Sequence, residues 1–379
     1  MVRLEDMVTV YYRARSNKRR SRDSVRFEVT LKQRLLLLWK SVNDRTFTAC
    51  SNYAFVVTKP RPREIFATAM ETRVVHHYLD WRLRPIYENG LSDRSFNNRK
   101  GMGLHKAIDT YRNDIRELSE NYTKDAWCAH IDLKGYFPNA DVEIALAQQL
   151  ELIERYYSGD DKEDLVYMMK TCMRADPARH CDIYVPLENW SVIDDGKSLF
   201  KKPTGTGAAI GFLCWQNAMG YYINDVTKWL ESFGFMRVVV FVDDIYVVTN
   251  DRKKFLSLMP ELRRRLAALK VTINERKFYL QHYSKGIMCL GTMLKFDRRY
   301  INNKSYDSAV RKIGLLAKGR YKPSSLLCSL NSHLGGMKNI EQAGRTRFFV
   351  ARALWKFRKI MSWNSVRRCF ALKDRRRVA

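Results

Sequence analysis

The chain has 379 residues, of which 68 are Lys or Arg and 40 are Asp or Glu, giving a formal net charge of +28. With 46% hydrophobic residues it resembles a globular protein with a sizeable core, so the composition excludes intrinsic disorder. So large a positive excess argues against most enzymes of small metabolites and favours a polyanion, nucleic acid, as partner. The chain turns acidic at Glu5 and Asp6, where a secretory peptide would become apolar, and no apolar stretch reaches the ~20 residues that span a bilayer. We therefore expect a cytoplasmic protein without a membrane partner.

Charge and hydrophobic periodicity indicate a central unit with basic ends. The first forty residues carry eleven Lys and Arg against four acidic residues, and the last thirty-five carry twelve against Asp374 alone. We expect parts that hold nucleic acid on both sides of a chemical centre. The periodicity predicts a mixed α/β order. Its elements are a strand over 125–132, helices over 142–156, 163–173 and 211–229, strands over 236–242 and 245–249, a helix over 252–268, a strand over 270–273, a hairpin of 286–295 with 300–301, and helices from 306 onward with breaks near 322–323 and 335–336.

Two adjacent acidic residues, Asp243 and Asp244, separate the β-branched runs before and after them. The pattern predicts a hairpin with two carboxylates at its tip, although hairpin turns prefer Asn-Gly or Asp-Gly, which supply positive φ. One interpretation is an ordinary exposed acidic turn. The other is a divalent cation, because Mg²⁺ is commonly held by one or two carboxylates together with substrate phosphates.

A third acidic residue, Asp132, follows another apolar strand and precedes Gly135 and two aromatic residues, Tyr136 and Phe137. Three carboxylates at two strand ends can hold two metal ions ~3.5–4 Å apart, one to activate an attacking hydroxyl and one to stabilise a leaving pyrophosphate. The hypothesis is therefore phosphoryl transfer with two Mg²⁺ ions, with Mn²⁺ as the alternative metal.

These blocks resemble the reverse transcriptases. Phe-Val-Asp-Asp at 241–244 is similar to the x-x-Asp-Asp signature of that family, and Asp132 followed by Phe137 is similar to its first palm motif. The resemblance implies that Asp132, Asp243 and Asp244 are catalytic metal ligands. It also implies that Phe137 is the aromatic gate whose bulk excludes a ribonucleotide 2′-hydroxyl by steric clash.

Upstream blocks resemble the fingers of bacterial reverse transcriptases, particularly those of diversity-generating retroelements. Arg63 opens one block, and Arg99-Lys100-Gly101-x-Gly103 forms another. By that resemblance Arg63, Arg99 and Lys100 hold the incoming triphosphate, since arginine can fork onto phosphate oxygens and glycine lets the backbone approach a ligand.

The block at 207–216 is similar to the family string Gly-Leu-Pro-Ile-Gly-Asn-Leu-Thr-Ser-Gln. Ile210, Gly211 and Gln216 match it, and the resemblance assigns them to nucleotide binding. In diversity-generating enzymes an apolar residue at the position of Ile210 goes with error-prone copying. Four residues of the string are replaced, by Ala209, Phe212, Cys214 and Trp215. Because small polar groups that face nucleotide or template give way to bulk, we expect unusual nucleotide selection or template handling.

Downstream blocks extend the resemblance, which covers about residues 55–345. Lys277, in Asn274-x-x-Lys277, stands where the family neutralises or protonates the leaving pyrophosphate. Leu290-Gly291 resembles the primer grip, and 329–338 resembles the helical thumb. The residues expected to contact primer or template are Leu290, Gly291, Lys338, Arg345 and Arg347.

The fold implied is the polymerase right hand, an α/β (α+β) architecture of fingers, palm and helical thumb. The expected domains are a basic N-terminal segment with the fingers over 1–125, the palm with the catalytic motifs over 126–300, and the thumb with a basic tail over 301–379.

The function implied is an RNA-directed DNA polymerase, a reverse transcriptase, that copies an associated noncoding RNA in bacterial antiviral defence. The replacements at Ala209, Phe212 and Trp215 favour defence over the alternative, a diversity-generating or other retroelement. A catalytically inactive nucleic-acid-binding scaffold and an untemplated or protein-primed DNA polymerase stay open. The partners expected are a noncoding RNA template, a DNA primer and product, deoxynucleoside triphosphates, and an accessory protein or second polymerase subunit.

Overall fold

The computed structural model describes residues 1–372 except 17, 59–60, 184–186, 297, 320–322, 338–339, 341–343, 356–357, 360 and 365–368. Helices and strands are interspersed along the chain, in the mixed order that the periodicity predicts. None of the described helices is both long and apolar enough to cross a bilayer. The α-helices are α1 (Leu4–Arg15), α2 (Arg22–Val29), α3 (Leu31–Asn43), α4 (Met70–Gly90), α5 (Leu104–Leu118), α6 (Val142–Tyr156), α7 (Lys162–Arg174), α8 (Leu213–Tyr221), α9 (Asn224–Glu231), α10 (Arg252–Ala268), α11 (Asn303–Ala317), α12 (Pro323–Met337) and α13 (Gly344–Trp355).

The described strands form sheets with the orders β2-β1-β4, β5-β6-β3-β7 with β8 also paired to β3, β11-β10-β9, and β12-β13. Their bounds are β1 (Ser51–Val57), β2 (Arg63–Thr68), β3 (Trp127–Lys134), β4 (Asp182–Ile183), β5 (Met236–Phe241), β6 (Asp244–Thr249), β7 (Thr272–Ile273), β8 (Tyr279–His282), β9 (Ile287–Cys289), β10 (Thr292–Lys295), β11 (Arg298–Ile301), β12 (Met361–Asn364) and β13 (Cys369–Leu372). Short 3-10 helices occupy Leu187–Val192, Asp195–Lys197, Leu199–Lys201 and Tyr283–Lys285.

Contacts divide the chain into two compact units. The first comprises Met1–Gly103, His130–Val247 and Lys253–Tyr279, and the second comprises Leu104–Ala129, Val248–Arg252 and Leu280–Ala379. The three predicted metal ligands lie in the first unit, and Leu290 and Gly291 lie in the second. The assignment of 1–125, 126–300 and 301–379 to fingers, palm and thumb stays a prediction.

The sheet of the first unit explains the apolar runs around the acidic pair. Strands β5 and β6 are buried along most of their length, as strands covered on both faces require, so they are rich in Val and Ile rather than alternating. Residues 92–97 cover the outer edge of β5, because Ser95 pairs in parallel with Val240 and the Phe96 amide donates to the Val240 carbonyl at 3.0 Å. The hairpin of β5 and β6 is thus supported by its own sheet and by a neighbouring segment.

The predicted helix over 211–229 is two helices, α8 and α9, so that prediction was wrong. The break at Tyr222 and Ile223 follows from contacts distant in sequence. The Tyr222 hydroxyl donates to the Leu269 carbonyl at 2.8 Å, and the Asn224 side chain accepts from the Ser92 amide at 2.8 Å. The predicted helices over 142–156 and 252–268 are confirmed as α6 and α10.

In the second unit, the predicted strand over 286–295 is interrupted by a turn. Strands β9 and β10 are antiparallel with Cys289 opposite Thr292, so Leu290 and Gly291 form a two-residue hairpin loop. Both have positive φ, 46° and 81°, which is the conformation that type I′ turns require. The prediction of one strand was wrong because Leu290 carries no residue-type signal for this conformation.

The C-terminal helices α11, α12 and α13 share a small apolar core with β12. The amide group of Asn331 pairs with both backbone groups of Phe370 at 2.8 Å, which ties α12 to β13. A break near 335–336 is absent from α12, which runs through both glycines to Met337. The buried residues of this core are Ala309, Leu326, Leu330, Leu334, Val350, Leu354 and Met361.

Candidate active site

The turn between β5 and β6 holds a β-branched residue in a left-handed conformation. Val242 has φ 61°, a value that is costly for Val and persists only where surrounding contacts impose it. The Val242 amide donates to Asn97 Oδ1 at 3.3 Å, from the segment that covers β5. This non-local contact accounts for a turn that lacks the usual Asn-Gly or Asp-Gly sequence. The turn places Asp243 and Asp244 at the tip of the hairpin.

Asp132, on β3, lies next to this turn. The Leu133 amide donates to the Asp243 carbonyl at 3.0 Å, so the two acidic segments are neighbours in the sheet. The carboxylate of Asp132 is nearly buried and has two partners: the Lys277 ammonium contacts Oδ1, and Asn274 Nδ2 donates to Oδ2 at 2.9 Å. The structure therefore places Lys277 directly beside a predicted metal ligand.

The two carboxylates at the hairpin tip have different surroundings. Burial, followed by the negative charge of Asp244, raises the pKa of Asp243 to about 6, and Asp132 adds to the effect. Asp244 Oδ1 lies 2.7 Å from His130 Nε2. The part of this shift in the pKa of Asp243 that comes from Asp244 and Asp132 reflects negative charge that a cation would relieve.

The donor set suits a divalent metal, since three carboxylates supply the hard oxygen ligands that Mg²⁺ prefers. Across the part of the chain that the structure describes, no three or more His, Cys, Asp or Glu side chains are already arranged to hold a metal ion. Asp132 is instead neutralised by Lys277, so a cation bound there would require the ammonium to move away. Asp132, Asp243 and Asp244 are the residues that would hold it.

The predicted nucleotide-binding block is joined to the end of β3. The Ala208 amide donates to the Phe137 carbonyl at 2.8 Å, and the Phe66 amide of β2 donates to the Ile210 carbonyl at 2.8 Å. Gly211 has φ 119°, and a Cβ there would overlap the Phe66 carbonyl oxygen. Phe137 and Ile210 are half-buried and Gly211 is exposed. Their nucleotide-binding role stays a prediction.

The replaced residues of this block are core residues. Phe212 and Trp215 are 1% exposed, and Ala209 and Cys214 are also buried. Phe212 packs on the ring of His76 with centroids 5.0 Å apart, and burial lowers the pKa of His76 to about 3. The expectation that this bulk faces nucleotide or template is therefore corrected, because the larger side chains fill the interior.

The predicted triphosphate-binding residues differ in exposure. Arg63 and Lys100 are exposed. The Arg99 guanidinium is buried: its Nε donates to Glu88 at 2.9 Å and its Nη1 donates to the Ser92 carbonyl at 2.8 Å. Arg99 is thus committed to internal contacts, and its assignment to triphosphate binding is corrected.

Lys100 lies at a pocket of about 570 Å³ beside the hairpin tip, lined also by Asn97, Asn98, Phe241 and Val242. Gln216, the last residue of the predicted nucleotide-binding block, is exposed near it. Its side-chain amide donates to Asn98 Oδ1 at 2.9 Å, and Asn98 Nδ2 donates to the Gln216 carbonyl at 2.9 Å. This reciprocal pair connects the nucleotide-binding block to the Arg99-Lys100 block.

The expected primer and template residues lie outside the first unit. Leu290 and Gly291 form the β9–β10 turn, and Arg345 and Arg347 lie on α13. Lys338 lies outside the described residues. Their roles stay predictions.

His130 is the residue of the site that the sequence did not single out. It precedes Asp132 by two positions, so the two side chains share one face of β3. This period-two relation was the available signal, but only the pairing of β3 with β6 brings His130 to Asp244.

The three acidic residues lie within a stretch of the sequence that matches a known family. A sequence profile described as reverse transcriptase (RNA-dependent DNA polymerase) matches residues 56–294, more than half of the chain. The chain belongs to this family. The predicted right-hand polymerase fold class and the predicted membership of the reverse transcriptase family are confirmed. No curated protein matches the chain significantly.

Solved structures similar to this chain include three of Candida telomerases. Apo telomerase from Candida tropicalis has 10% identity and a TM-score of 0.49, with 75% of this chain and 52% of that chain covered. The same apo telomerase truncated from its C-terminal domain has 12% identity and a TM-score of 0.45, with 67% and 55% covered. Candida albicans telomerase in complex with a TWJ fragment of telomeric RNA has 12% identity and a TM-score of 0.45, with 83% and 57% covered. The chain spans about half the length of these telomerase chains.

Proposed function

We propose that this reverse transcriptase is an active RNA-directed DNA polymerase that extends a DNA primer with deoxynucleotides and releases pyrophosphate. The observation that carries the proposal is the position of the carboxylates inside the segment matched by the family. Asp132 and the pair Asp243 and Asp244 lie on neighbouring strands, joined by the hydrogen bond from the Leu133 amide to the Asp243 carbonyl.

The proposed mechanism relies on positioning and charge neutralisation. Two divalent cations, Mg²⁺ or alternatively Mn²⁺, would lower the pKa of the primer 3′-hydroxyl and stabilise the leaving pyrophosphate when held by the three carboxylates. Lys277, released from Asp132, would neutralise or protonate the pyrophosphate. Phe137 would select the deoxyribose sugar.

The resemblance also assigns residues that would bind substrate. Exposed Arg63 and Lys100 would hold the triphosphate, and Leu290-Gly291 would hold the primer end. Arg99 would stabilise the segment next to Lys100 through its buried contact with Glu88. These assignments rest on the resemblance together with exposure.

The proposed template is an associated noncoding RNA, and the proposed role is bacterial antiviral defence. That role rests on the resemblance of the sequence blocks, because the buried positions of Phe212 and Trp215 remove the physical argument drawn from their bulk. A diversity-generating or other retroelement is the alternative. Purifying the protein from its native operon and sequencing the nucleic acid that accompanies it separates the two roles by the identity of the RNA.

The activity is tested by primer extension with Mg²⁺ on poly(rA)/oligo(dT). We expect extension by the intact protein, none by Asp243→Asn or Asp244→Asn, and normal extension by Asp160→Asn, which removes an exposed carboxylate elsewhere. If the intact protein extends no primer on any template, the alternative of a catalytically inactive nucleic-acid-binding scaffold is favoured. Products whose sequence is independent of added or co-purified RNA would indicate untemplated synthesis.

A further inference from the structure

The side chain of His130 is held in one orientation beside the hairpin tip. Its ring stacks on Tyr246 with centroids 4.6 Å apart and planes 17° apart, and it contacts Tyr279 at 5.6 Å. The His130 side chain is 15% exposed. Because aromatic neighbours flank the imidazole, rotation of the ring would require them to move.

The fixed ring aims a nitrogen at a predicted metal ligand. His130 Nε2 lies 2.7 Å from Asp244 Oδ1. A carboxylate oxygen accepts hydrogen bonds, so we assign the hydrogen of this contact to Nε2. The contact commits one oxygen of Asp244 and fixes where the second oxygen, Oδ2, can lie.

We propose that His130 is a positioning residue that orients Asp244 to bind the divalent cation. The side chains that touch metal-binding carboxylates commonly set their orientation, and losing one typically costs 10–100-fold in metal affinity. Asn274 has the comparable position at Asp132, where its amide donates to Oδ2. Two of the three carboxylates are thus held by an N–H donor from the sheet or the adjacent turn. The inference rests on the proposed function, since it gives these carboxylates a cation to bind.

The variants separate the hydrogen bond from the packing of the ring. His130→Phe keeps a flat ring between Tyr246 and Tyr279 and removes the donor. His130→Gln keeps an N–H donor and loses the ring. His130→Leu also lacks a donor and tests the same expectation should the Phe variant not fold.

His282→Phe is the matched control. His282 Nε2 lies 3.3 Å from Asp125 Oδ1, and its ring contacts Tyr283 with centroids 4.3 Å apart. It is therefore another histidine beside a carboxylate and a tyrosine ring, at a place with no proposed role in metal binding.

The measurement is Mn²⁺ binding to the full chain, followed by electron paramagnetic resonance without nucleotide or nucleic acid. We expect His130→Phe to weaken Mn²⁺ binding about tenfold or more, His130→Gln to recover part of the loss, and His282→Phe to bind like the unaltered protein. Circular dichroism in chelator establishes that each variant is folded. A folded His130→Phe or His130→Leu that binds Mn²⁺ as tightly as the unaltered protein would overturn the proposal.

Primer extension gives a second readout that a purely structural role would not produce. The Mg²⁺ concentration for half-maximal activity should rise about tenfold in His130→Phe, while kcat at saturating Mg²⁺ stays within about threefold. An unchanged Mg²⁺ requirement with a lower kcat contradicts a positioning role. If Mn²⁺ binds and depends on His130 but no primer is extended, the proposed function fails and the inference about His130 stands.

Discussion

The Lys277 ammonium contacts the Asp132 carboxylate, while Asn274 binds the other oxygen of the same group. The side chain of Asp132 is 11% exposed and that of Lys277 is 45% exposed. Lys277 can therefore withdraw into solvent, whereas Asp132 is fixed in the sheet. The lysine ammonium therefore occupies the carboxylate that the proposed reaction would need for a metal ion.

We expect Lys277→Met to lower kcat for primer extension about 100-fold, because a group that neutralises or protonates the leaving pyrophosphate is lost. Binding of Mn²⁺ should be at least as tight as in the unaltered protein, because the competing ammonium at Asp132 is gone. Single-turnover kinetics and Mn²⁺ titration of the same preparation check both statements.

Lys277→Arg separates the two roles left open for the lysine. An arginine keeps the charge but does not give up its proton in proteins. Retained kcat would indicate charge neutralisation, and a loss as large as that of Lys277→Met would indicate proton donation. Weaker Mn²⁺ binding by Lys277→Met would contradict the competition inferred from the contact.

The raised pKa of Asp243 predicts a pH-dependent stability. Its pKa in the folded chain is about 6 against an ordinary 3.8, because of burial and the charge of Asp244. The folded state therefore binds this proton more tightly, and the stabilisation present below about pH 4 is lost as the pH rises through 6. We compare the free energy of unfolding of Asp243→Asn with that of the unaltered protein, both in chelator. The difference in favour of the variant should be about 2–3 kcal/mol larger at pH 7.5 than at pH 4.

Urea unfolding at both pH values measures this difference, and Asp160→Asn, at an exposed site, is the control. Saturating Mg²⁺ should reduce the advantage of Asp243→Asn at pH 7.5, since a bound cation relieves the same repulsion. An advantage that is independent of pH would show that the Asp243 carboxylate is not the source.

The parts of this protein that could be predicted from its sequence are those set by local pattern. Helices α6 and α10 follow from their own apolar faces, and the three acidic residues follow from motif spacing. The end of α8 could not be predicted in this way, because Tyr222 is held by Leu269, far along the chain. The sequence likewise did not show that Trp215 is buried, because its bulk suggested contact with nucleotide.

Within the site, sequence could give residue types but not partners. The Arg99-Lys100 pair looks like two phosphate-binding residues until Glu88 is found beside the first. His130 has a role only because β3 and β6 are neighbours in the sheet. The carboxylates could therefore be singled out from the sequence, whereas their supporting contacts depended on strand order.

Arg99 and Lys100 are expected to respond differently to substitution by alanine. Arg99→Ala leaves the Glu88 carboxylate and three backbone carbonyls without their buried partner and should cost about 3–5 kcal/mol of stability. Lys100→Ala, at an exposed position, should change stability by less than about 0.5 kcal/mol but raise KM for the triphosphate. Thermal unfolding and steady-state kinetics on both variants check this, and a stable Arg99→Ala with a raised KM would restore the role that the sequence suggested.

Gly211 allows the nucleotide-binding block to approach strand β2 closely. Its φ of 119° is strained for any other residue, and an added Cβ would overlap the Phe66 carbonyl, while the Phe66 amide holds the preceding residue, Ile210. Gly211→Ala should therefore cost about 1–3 kcal/mol of stability. Gly234→Ala, where a Cβ meets nothing within 4 Å and φ is not positive, should stay within about 0.5 kcal/mol. Comparable unfolding midpoints for the two variants would contradict the strained φ and the close contact with Phe66 that distinguish Gly211 from Gly234.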